Sequence, residues 1–380
     1  MLGFFKKNKA DSTIGLMTTV AAQKGSKSRF HKLRVADVRQ ETEDCVSVSF
    51  DVSDTTAFNF VPGQYLTFKQ EINGEELRRS YSICSSPLEN ELRIAVKRVP
   101  EGRFSSWATN DLKVNDVLEV MPPMGNFILE PTPAKEEEYI GFAAGSGITP
   151  LLSMIKTVLQ HSPKSRFTLF YGNKKTASII FKNELEDLKD KYLGRLDIHH
   201  VLSREDQGND LLFGRIDGAR AKSLIDKLPS SILPAGYFLC GPEEMIHNVS
   251  DAIKNSGADQ KKIHFELFSS DQASSKLKEE KKESSSKQNL SSVTVVLDGE
   301  KTHFEQKPND FVLDAALAAG ADIPYACKGA VCCTCRAKVL EGDVEMSMNY
   351  SLTEEEVEEG YVLSCQSMPR SSNVVMSFDD

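Results

Sequence analysis

Thiols are the side chains in this sequence best placed to do chemistry. The segment Tyr325-Ala-Cys-Lys-Gly-Ala-Val-Cys-Cys-Thr-Cys holds Cys327, Cys332, Cys333 and Cys335, and Cys365 follows further on. Cys327, Cys332 and Cys335 have the spacing C-x4-C-x2-C. With the distant Cys365 they match the plant-type pattern for a [2Fe–2S] cluster, in which four thiolates hold two irons. A zinc site and a set of disulfides are the competing uses of these thiols. Structural zinc sites pair their cysteines as two short knuckles, and Cys365 has no such neighbour. Gly329 and Ala330 lie between the first two ligands, where small residues let the backbone approach the inorganic sulfides. Cys333 is expected to be a small buried thiol and not a ligand, because two adjacent residues on one loop can hardly bind the same cluster. Cys45, Cys84 and Cys240 make no spacing pattern of their own.

The elements around these cysteines describe a small domain. Residues 293–297, the Asp298-Gly299 turn and residues 301–304 read as a hairpin. Residues 310–319 read as a helix with Leu313 and Leu317 on one face. A strand is predicted at 336–340, a capping box at Thr353 and Glu356, and a last strand at 373–378. The stretch before this domain, residues 269–290, is almost wholly polar and reads as a flexible linker.

Upstream, from Tyr139, strands alternate with helices, which predicts a parallel sheet. A short apolar strand at 139–144 runs into Gly145-Ser-Gly-Ile-Thr-Pro150 and a helix at 151–160. Such a glycine-rich turn lets backbone approach a phosphate and aims a helix N-terminus at it. Further strands are predicted at 167–171, 196–202 and 236–240, with helices at 181–191, 218–226 and 242–255. The strand end Cys240-Gly241-Pro242 supplies a second such turn. One turn alone is ordinary sheet-to-helix packing; two in one sheet favour a nucleotide site.

The first part of the chain alternates apolar and polar residues at 31–39 and 45–52. With strands after Pro62-Gly63, at 92–99 and at 117–120, this predicts a closed antiparallel barrel. Within it, Arg78-Arg-Ser-Tyr-Ser-Ile-Cys-Ser85 would place Arg79, Tyr81 and Ile83 on one strand face and Ser80 and Ser82 on the other. An Arg can pair with a phosphate, a Tyr can lie on a flat ring, and a Ser can hydrogen-bond a ring nitrogen. Taken alone, such a strand is also an ordinary sheet face. Gly102-Arg-Phe-Ser105, before a helix predicted at 106–112, suits a pyrophosphate. Residues 1–28 are polar and irregular and are expected to be a disordered tail.

Composition sets the outer limits. The 380 residues predict two or three domains, and the net charge of −9 argues against a nucleic-acid partner while leaving room for an acidic face that docks a protein. No apolar run approaches a membrane span. Lys6, Lys7 and Lys9 precede a stretch at 14–22 too diluted for a signal peptide, so a reducing cytoplasm is expected.

Taken together, Arg-x-Tyr-Ser, Gly-x-x-Ser, Gly-Ser-Gly-Ile-Thr-Pro and Cys-Gly-Pro resemble, in order, the ferredoxin–NADP reductase superfamily. A plant-type ferredoxin domain is appended at the C-terminus. The segments 323–336, 345–352, 360–366 and 210–218 are similar to the reductase subunits of phenylacetyl-CoA 1,2-epoxidase complexes. The resemblance covers residues 30–380. It implies an FAD-binding barrel at 29–134, an NAD(P)-binding α/β domain at 135–268 and a β-grasp [2Fe–2S] ferredoxin domain at 291–380. It also implies that Arg79 binds the flavin diphosphate, Tyr81 packs on the isoalloxazine and Ser82 sits near its N5. Gly102, Phe104 and Ser105 would line the FAD pyrophosphate. Gly145, Gly147 and Thr149 would cradle the nicotinamide dinucleotide, with Cys240 and Gly241 near the nicotinamide. Ser203 and Arg204 resemble the pair that holds the 2′-phosphate of NADPH, although Arg204 could equally be a solvated partner of Glu205. The implied activity passes electrons from NADPH through FAD and the cluster to an oxygenase. The acceptor expected is a di-iron monooxygenase complex acting on phenylacetyl-CoA. Other readings are a reductase for a different oxygenase or a hybrid-cluster protein, or a non-catalytic redox sensor.

Overall fold

The computed structural model describes residues 16–19, 30–52, 56–229, 233–268 and 290–380. The expected linker therefore lies outside the described residues except for Leu290. The expected tail at 1–28 is tied down in part: Leu16 is buried, its N–H donates to Pro87 O (2.9 Å), and Phe60 N–H donates to Leu16 O (2.7 Å).

The first unit contains β1 (His31–Thr42), β2 (Cys45–Phe50), β3 (Tyr65–Ile72), β4 (Glu75–Ser82), β5 (Leu92–Lys97), helix α1 (Arg103–Asn110) and β6 (Val117–Val120). The strands form an antiparallel sheet in the order β4-β3-β6-β1-β2-β5, and a bridge between Ile83 and Ile94 joins its ends. This is the predicted barrel. Leu66, Phe68, Val48 and Ile94 fill its interior. Helix α1 starts earlier than predicted because Phe104 and Ala108 both face the core, so the first turn is held by packing.

The second unit contains β7 (Glu138–Ala144), α2 (Ile148–His161), β8 (Arg166–Asn173), α3 (Lys182–Lys191), β9 (Leu196–Leu202), α4 (Gly218–Ile225), β10 (Gly236–Gly241), α5 (Glu243–Asn255) and β11 (Ile263–Leu267). The sheet is parallel, ordered β11-β10-β7-β8-β9. Helix α2 begins before the predicted start at 151. Pro150 falls in its first turn, where a missing N–H breaks no helical bond. Strand β11 was not predicted, because an edge strand alternates weakly.

The third unit contains β12 (Ser291–Leu297), β13 (Glu300–Gln306), α6 (Val312–Ala318), β14 (Arg336–Glu341), β15 (Val344–Met346), α7 (Glu354–Glu358), β16 (Tyr361–Leu363), β17 (Ser367–Pro369) and β18 (Asn373–Ser377). Its mixed sheet runs β13-β12-β18-β14-β16, with Val312, Leu313 and Ala316 of α6 packed into the same core as Cys332, Cys335 and Cys365.

A polar seam fixes the first two units together. Lys156 of α2 is buried between Glu89 of the barrel (3.2 Å) and Glu184. Ser153 Oγ donates to Ser85 O (2.7 Å). The seam holds α2, and with it the Gly145–Gly147 turn, against the barrel.

Candidate functional site

The cluster loop is a strained wrap around converging thiols. Lys328 (φ 52°) and Ala330 (φ 62°) occupy the left-handed region, and Gly329, between them, does not. The sequence reading asked only for small residues at Gly329 and Ala330; the left-handed backbone at Lys328 is an addition the structure makes. Gly329 N–H donates to Cys327 Sγ (3.3 Å), and Gln366 Nε2 reaches both Lys328 O (3.3 Å) and Cys365 Sγ (3.8 Å). These bonds hold a backbone that non-glycine residues adopt only when the surroundings enforce it. Among the described residues no three metal-ligating side chains close on one point. The thiols stand instead as two pairs, and in each the neighbour's hydrogen bond lowers one thiol's pKa: Cys327 by Cys332, and Cys365 by Cys335. Two pairs of sulfurs suit a two-iron core with one pair per iron, and the all-thiol donor set fits that group. Cys333 is buried, as expected for a non-ligand; its Sγ lies 3.3 Å from Tyr65 Oη.

All three units converge on one cavity of about 480 Å³. It is lined by Arg79 and Ser82 of β4, Glu266 and Phe268 at the end of the parallel sheet, and Cys327 and Cys332 of the cluster loop. The size is that of a cofactor pocket. Ser82 Oγ donates to Glu266 Oε2 (2.9 Å). Burial pushes the Glu266 carboxyl up to about 8, the nearby Cys332 adds to the shift, and the Ser82 hydrogen bond opposes it. Glu266 also lies beside Cys240 on adjacent parallel strands, so Ser82, Glu266 and Cys240 form one group. Cys240 is fully buried, and that burial raises its thiol pKa. Sequence reasoning missed Glu266; an acidic residue in a strand paired with the Cys-Gly-Pro strand was the available signal.

The barrel strand obeys the predicted alternation. Tyr81 and Arg79 pair with Leu66 and Phe68, while Ser80 and Ser82 pair with Thr67 and Tyr65 on the other face. Tyr81 packs on Phe104 (5.6 Å between centroids) and Phe68 (6.1 Å), so its ring belongs to the barrel wall and does not line the cavity. Phe104 is buried in the core, and Ser105 Oγ is engaged by Val99 N–H (3.2 Å) and Gly102 O (3.2 Å). Gly102 N–H is already given to Val99 O (3.1 Å), so what this segment offers a pyrophosphate is the backbone N–H of Phe104 and Ser105 at the start of α1, where no side chain caps the helix. Arg79 is exposed at the cavity, with Nη1 donating to Arg78 O (2.7 Å).

Arg78 crosses to the cluster domain. Its side chain is 4% exposed and ion-pairs with Asp322 (2.7 Å) and Glu76 (2.8 Å). It donates to Ile323 O (3.3 Å) and lies 4.4 Å over the Tyr325 ring, two residues before Cys327.

In the nucleotide turn, a Cβ on Gly145 (φ +54°) would meet nothing within 4 Å, whereas one on Gly147 would stand 2.0 Å from Cys240 O. Gly145 therefore leaves open space for a ligand, and Gly147 is required by packing. Thr149 is buried, and its hydroxyl donates to Ser146 O (3.0 Å). The N-terminus of α2 has no side-chain cap, and its first amide, Ile148 N–H, bonds back to Gly145 O and Ser146 O of the preceding turn. Gly241 is hemmed in by Met245 and Ala144. Ser203 and Arg204 follow β9, with their N–H groups bonded to Asn173 O and Lys174 O (2.9 Å each). Arg204 is exposed and makes no salt bridge among the described residues. Glu205 accepts from Thr176 N–H (3.0 Å) and Oγ1 (2.5 Å), and it makes no ion pair with Arg204 among the described residues.

Family models match each unit in turn: an oxidoreductase FAD-binding domain over residues 32–128, an oxidoreductase NAD-binding domain over 142–251, and a 2Fe-2S iron-sulfur cluster binding domain over 295–370. One component of the 1,2-phenylacetyl-CoA epoxidase of Escherichia coli (strain K12) is 45% identical, over 92% of this chain and 98% of that one. The chain belongs to the family of FAD- and [2Fe–2S]-containing reductase components. The reductase is also 32% identical to the ferredoxin reductase component of 3-ketosteroid-9-alpha-monooxygenase from Rhodococcus rhodochrous, over 95% of this chain and 100% of that one. Phthalate dioxygenase reductase shares the fold, with a TM-score of 0.56 at 24% identity over 92% of this chain and 98% of that one. The reductase is an electron-transfer oxidoreductase that uses a pyridine nucleotide, FAD and a [2Fe–2S] cluster. Among the described residues no helix is long and apolar enough to cross a membrane.

Proposed function

We propose that the reductase takes electrons from NADPH and delivers them to a di-iron oxygenase that acts on phenylacetyl-CoA. The convergence of all three units on one cavity carries this reading, since it sets Arg79 and Ser82 of the barrel, Glu266 and Phe268 of the parallel-sheet unit and Cys327 and Cys332 of the cluster loop around a shared space. Bound FAD converts the two-electron chemistry of a pyridine nucleotide into single-electron steps that a [2Fe–2S] cluster can carry. Around it, Arg79 would neutralise diphosphate charge, and the amides from Arg103 to Ser105, after the Gly102 turn, would bind the pyrophosphate. Ser82 would orient the flavin edge. Glu266, whose carboxyl burial pushes up to about 8, would accept from Ser82 and hold it in place. Cys240 would border the nicotinamide, and Cys327, Cys332, Cys335 and Cys365 would hold the cluster. Gly145, Gly147, Thr149 and Gly241 would shape the dinucleotide turn.

Arg204 supports the preference for NADPH: it is exposed at a strand end, without a carboxylate partner among the described residues, and suits a 2′-phosphate. The 45% identity to a component of the epoxidase supports the choice of acceptor. The cluster domain, with sixteen acidic against six basic residues over 291–380, suits a protein partner with a basic face. Eight free thiols fit a reducing cytoplasm.

Anaerobic visible spectra, recorded before and after NADPH and then NADH, test the donor. Faster bleaching by NADPH, lost in Arg204→Ala, is expected; faster bleaching by NADH would remove the role given to Ser203 and Arg204. Turnover with purified oxygenases tests the acceptor. Coupling to a steroid or Rieske oxygenase but not to a phenylacetyl-CoA epoxidase would redirect it.

A further inference from the structure

Strand β3 carries an anomaly. Alternation puts Leu66 and Phe68 inside the barrel, so Tyr65 and Thr67 point outward, yet they are only 5% and 1% exposed. Polar residues on the outer face of an antiparallel sheet ordinarily meet water. Here the cluster loop covers them and supplies their hydrogen-bond partners. Cys333 N–H donates to Tyr65 Oη (3.1 Å), which also lies 3.3 Å from Cys333 Sγ and 3.2 Å from Thr334 Oγ1. Thr67 Oγ1 lies 3.1 Å from Thr334 Oγ1 and 3.0 Å from Ser80 Oγ of β4. A buried chain of hydroxyls thus runs from the flavin strand to the cluster loop. Its last member, Thr334, sits between Cys333 and the ligand Cys335, and its hydroxyl is near enough to the thiol of the ligand Cys332 to favour the thiolate.

We propose that the cluster site is completed across the domain boundary: Tyr65 and Thr67 of the flavin barrel are positioning residues that set the reduction potential of the cluster through Thr334 and the Cys333 backbone. The proposal rests on the reading of the four thiols as a [2Fe–2S] site. Cluster potentials follow hydrogen bonding to the sulfurs and solvent exposure, and the residues that orient such donors tune a metal site nearly as strongly as its ligands. In a buried network each hydroxyl has few alternative partners, so removing one frees the orientation of the next. Without the Thr67 hydroxyl, Thr334 is no longer held from the barrel side. Without the Tyr65 hydroxyl, Thr334 loses its second barrel-side partner (3.2 Å). Both changes weaken the hold on the Thr334 hydroxyl and so its donation toward Cys332 sulfur, so both lower the potential. The same logic makes the potential depend on docking, because a cluster domain moved off the barrel leaves Tyr65 and Thr67 behind.

The test is an EPR-monitored redox titration of the full-length holoprotein, comparing the native chain with Thr67→Val, Thr67→Ser and Tyr65→Phe. Thr67 does not line the cavity, so Thr67→Val is expected to leave flavin bleaching by NADPH unchanged. At a fixed poise the reduced-to-oxidised ratio of the cluster should fall about tenfold in Thr67→Val and Tyr65→Phe, equivalent to about 59 mV for a one-electron couple. Thr67→Ser, which keeps the hydroxyl, should restore it. Native potential and native EPR line shape in both hydroxyl-deleted variants, at native cluster content, would overturn the proposal. If Thr67→Val does not fold, Tyr65→Phe alone decides it. A native protein that gives no EPR signal of a reduced [2Fe–2S] centre would instead overturn the cluster reading beneath it.

Discussion

At Gly145 the backbone is left-handed and the space a side chain would take is empty, while in the cluster loop the same region of φ is held by Lys328 and by the fully buried Ala330. The difference follows from what each turn must do. On the function proposed above, a dinucleotide would enter and leave at Gly145, so its turn would keep a gap and need glycine, the residue that adopts positive φ without strain. A cluster stays, so its loop can be closed by side chains. Lys328 pairs with Asp314 (3.0 Å) and lies 4.9 Å over Tyr325, and Gln366 ties down its carbonyl. Strain of order 1–3 kcal/mol per residue persists there because several contacts enforce it.

The sharpest way to separate the two regions is Cys365→Ser. It removes one of four thiolates and should abolish the cluster EPR signal, with electron delivery to one-electron acceptors falling at least about 100-fold. Bleaching of the flavin by NADPH should persist, since the nucleotide turn is untouched; simultaneous loss of both would mean that the regions are not separable.

The glycine pair comes next. Gly147→Ala forces a Cβ into backbone and should destabilise the fold by about 1–3 kcal/mol, read as a lower melting temperature. Gly145→Ala should cost about 1 kcal/mol and act mainly as a raised KM for the nucleotide. Equal melting temperatures for the two variants would contradict the distinction drawn between packing and ligand space.

Glu266 stands where the regions meet, and its sign can be worked out. Unfolded, its carboxyl loses its proton near the ordinary value of 4.5; folded, it does so at about 8. Across that window the folded chain holds more protons, so this contribution is fully present below about pH 4.5 and is lost as pH rises through about 8. The slope is at most about 1.4 kcal/mol per pH unit. Urea unfolding of the native chain and of Glu266→Gln at several pH values should show a slope that the variant lacks. The smallest effect is expected for Asp322→Asn. Asp322 is 75% exposed, so its pair with Arg78 contributes at most about 1 kcal/mol. Stopped-flow measurement should show a few-fold slower transfer from flavin to cluster, with flavin reduction unchanged.

Much of this was legible because it is local. The spacing of Cys327, Cys332, Cys335 and Cys365, the Gly145–Pro150 turn and the alternation of β4 are short-range patterns, and the structure reproduces the module order they predicted. The contacts of individual side chains within those motifs were not legible. Phe104 and Tyr81 turned out to pack on each other, and Ser105 and Thr149 to bond within their own turns. A motif marks a backbone shape without saying which way each side chain turns within it.

What the sequence by itself determined is the spacing of the candidate ligand cysteines, the order of the three units and the faces of their strands, since covalent spacing and a period of two fix these before any packing. Only the tertiary structure decided what stands opposite those faces. Glu266 meets Ser82 across 184 positions, and Tyr65 meets Cys333 across 268. The alternation of β3 dictated that Tyr65 and Thr67 point outward. That they are buried there, against the cluster loop, depends on a different domain folding over them, and no periodicity within β3 carries that information.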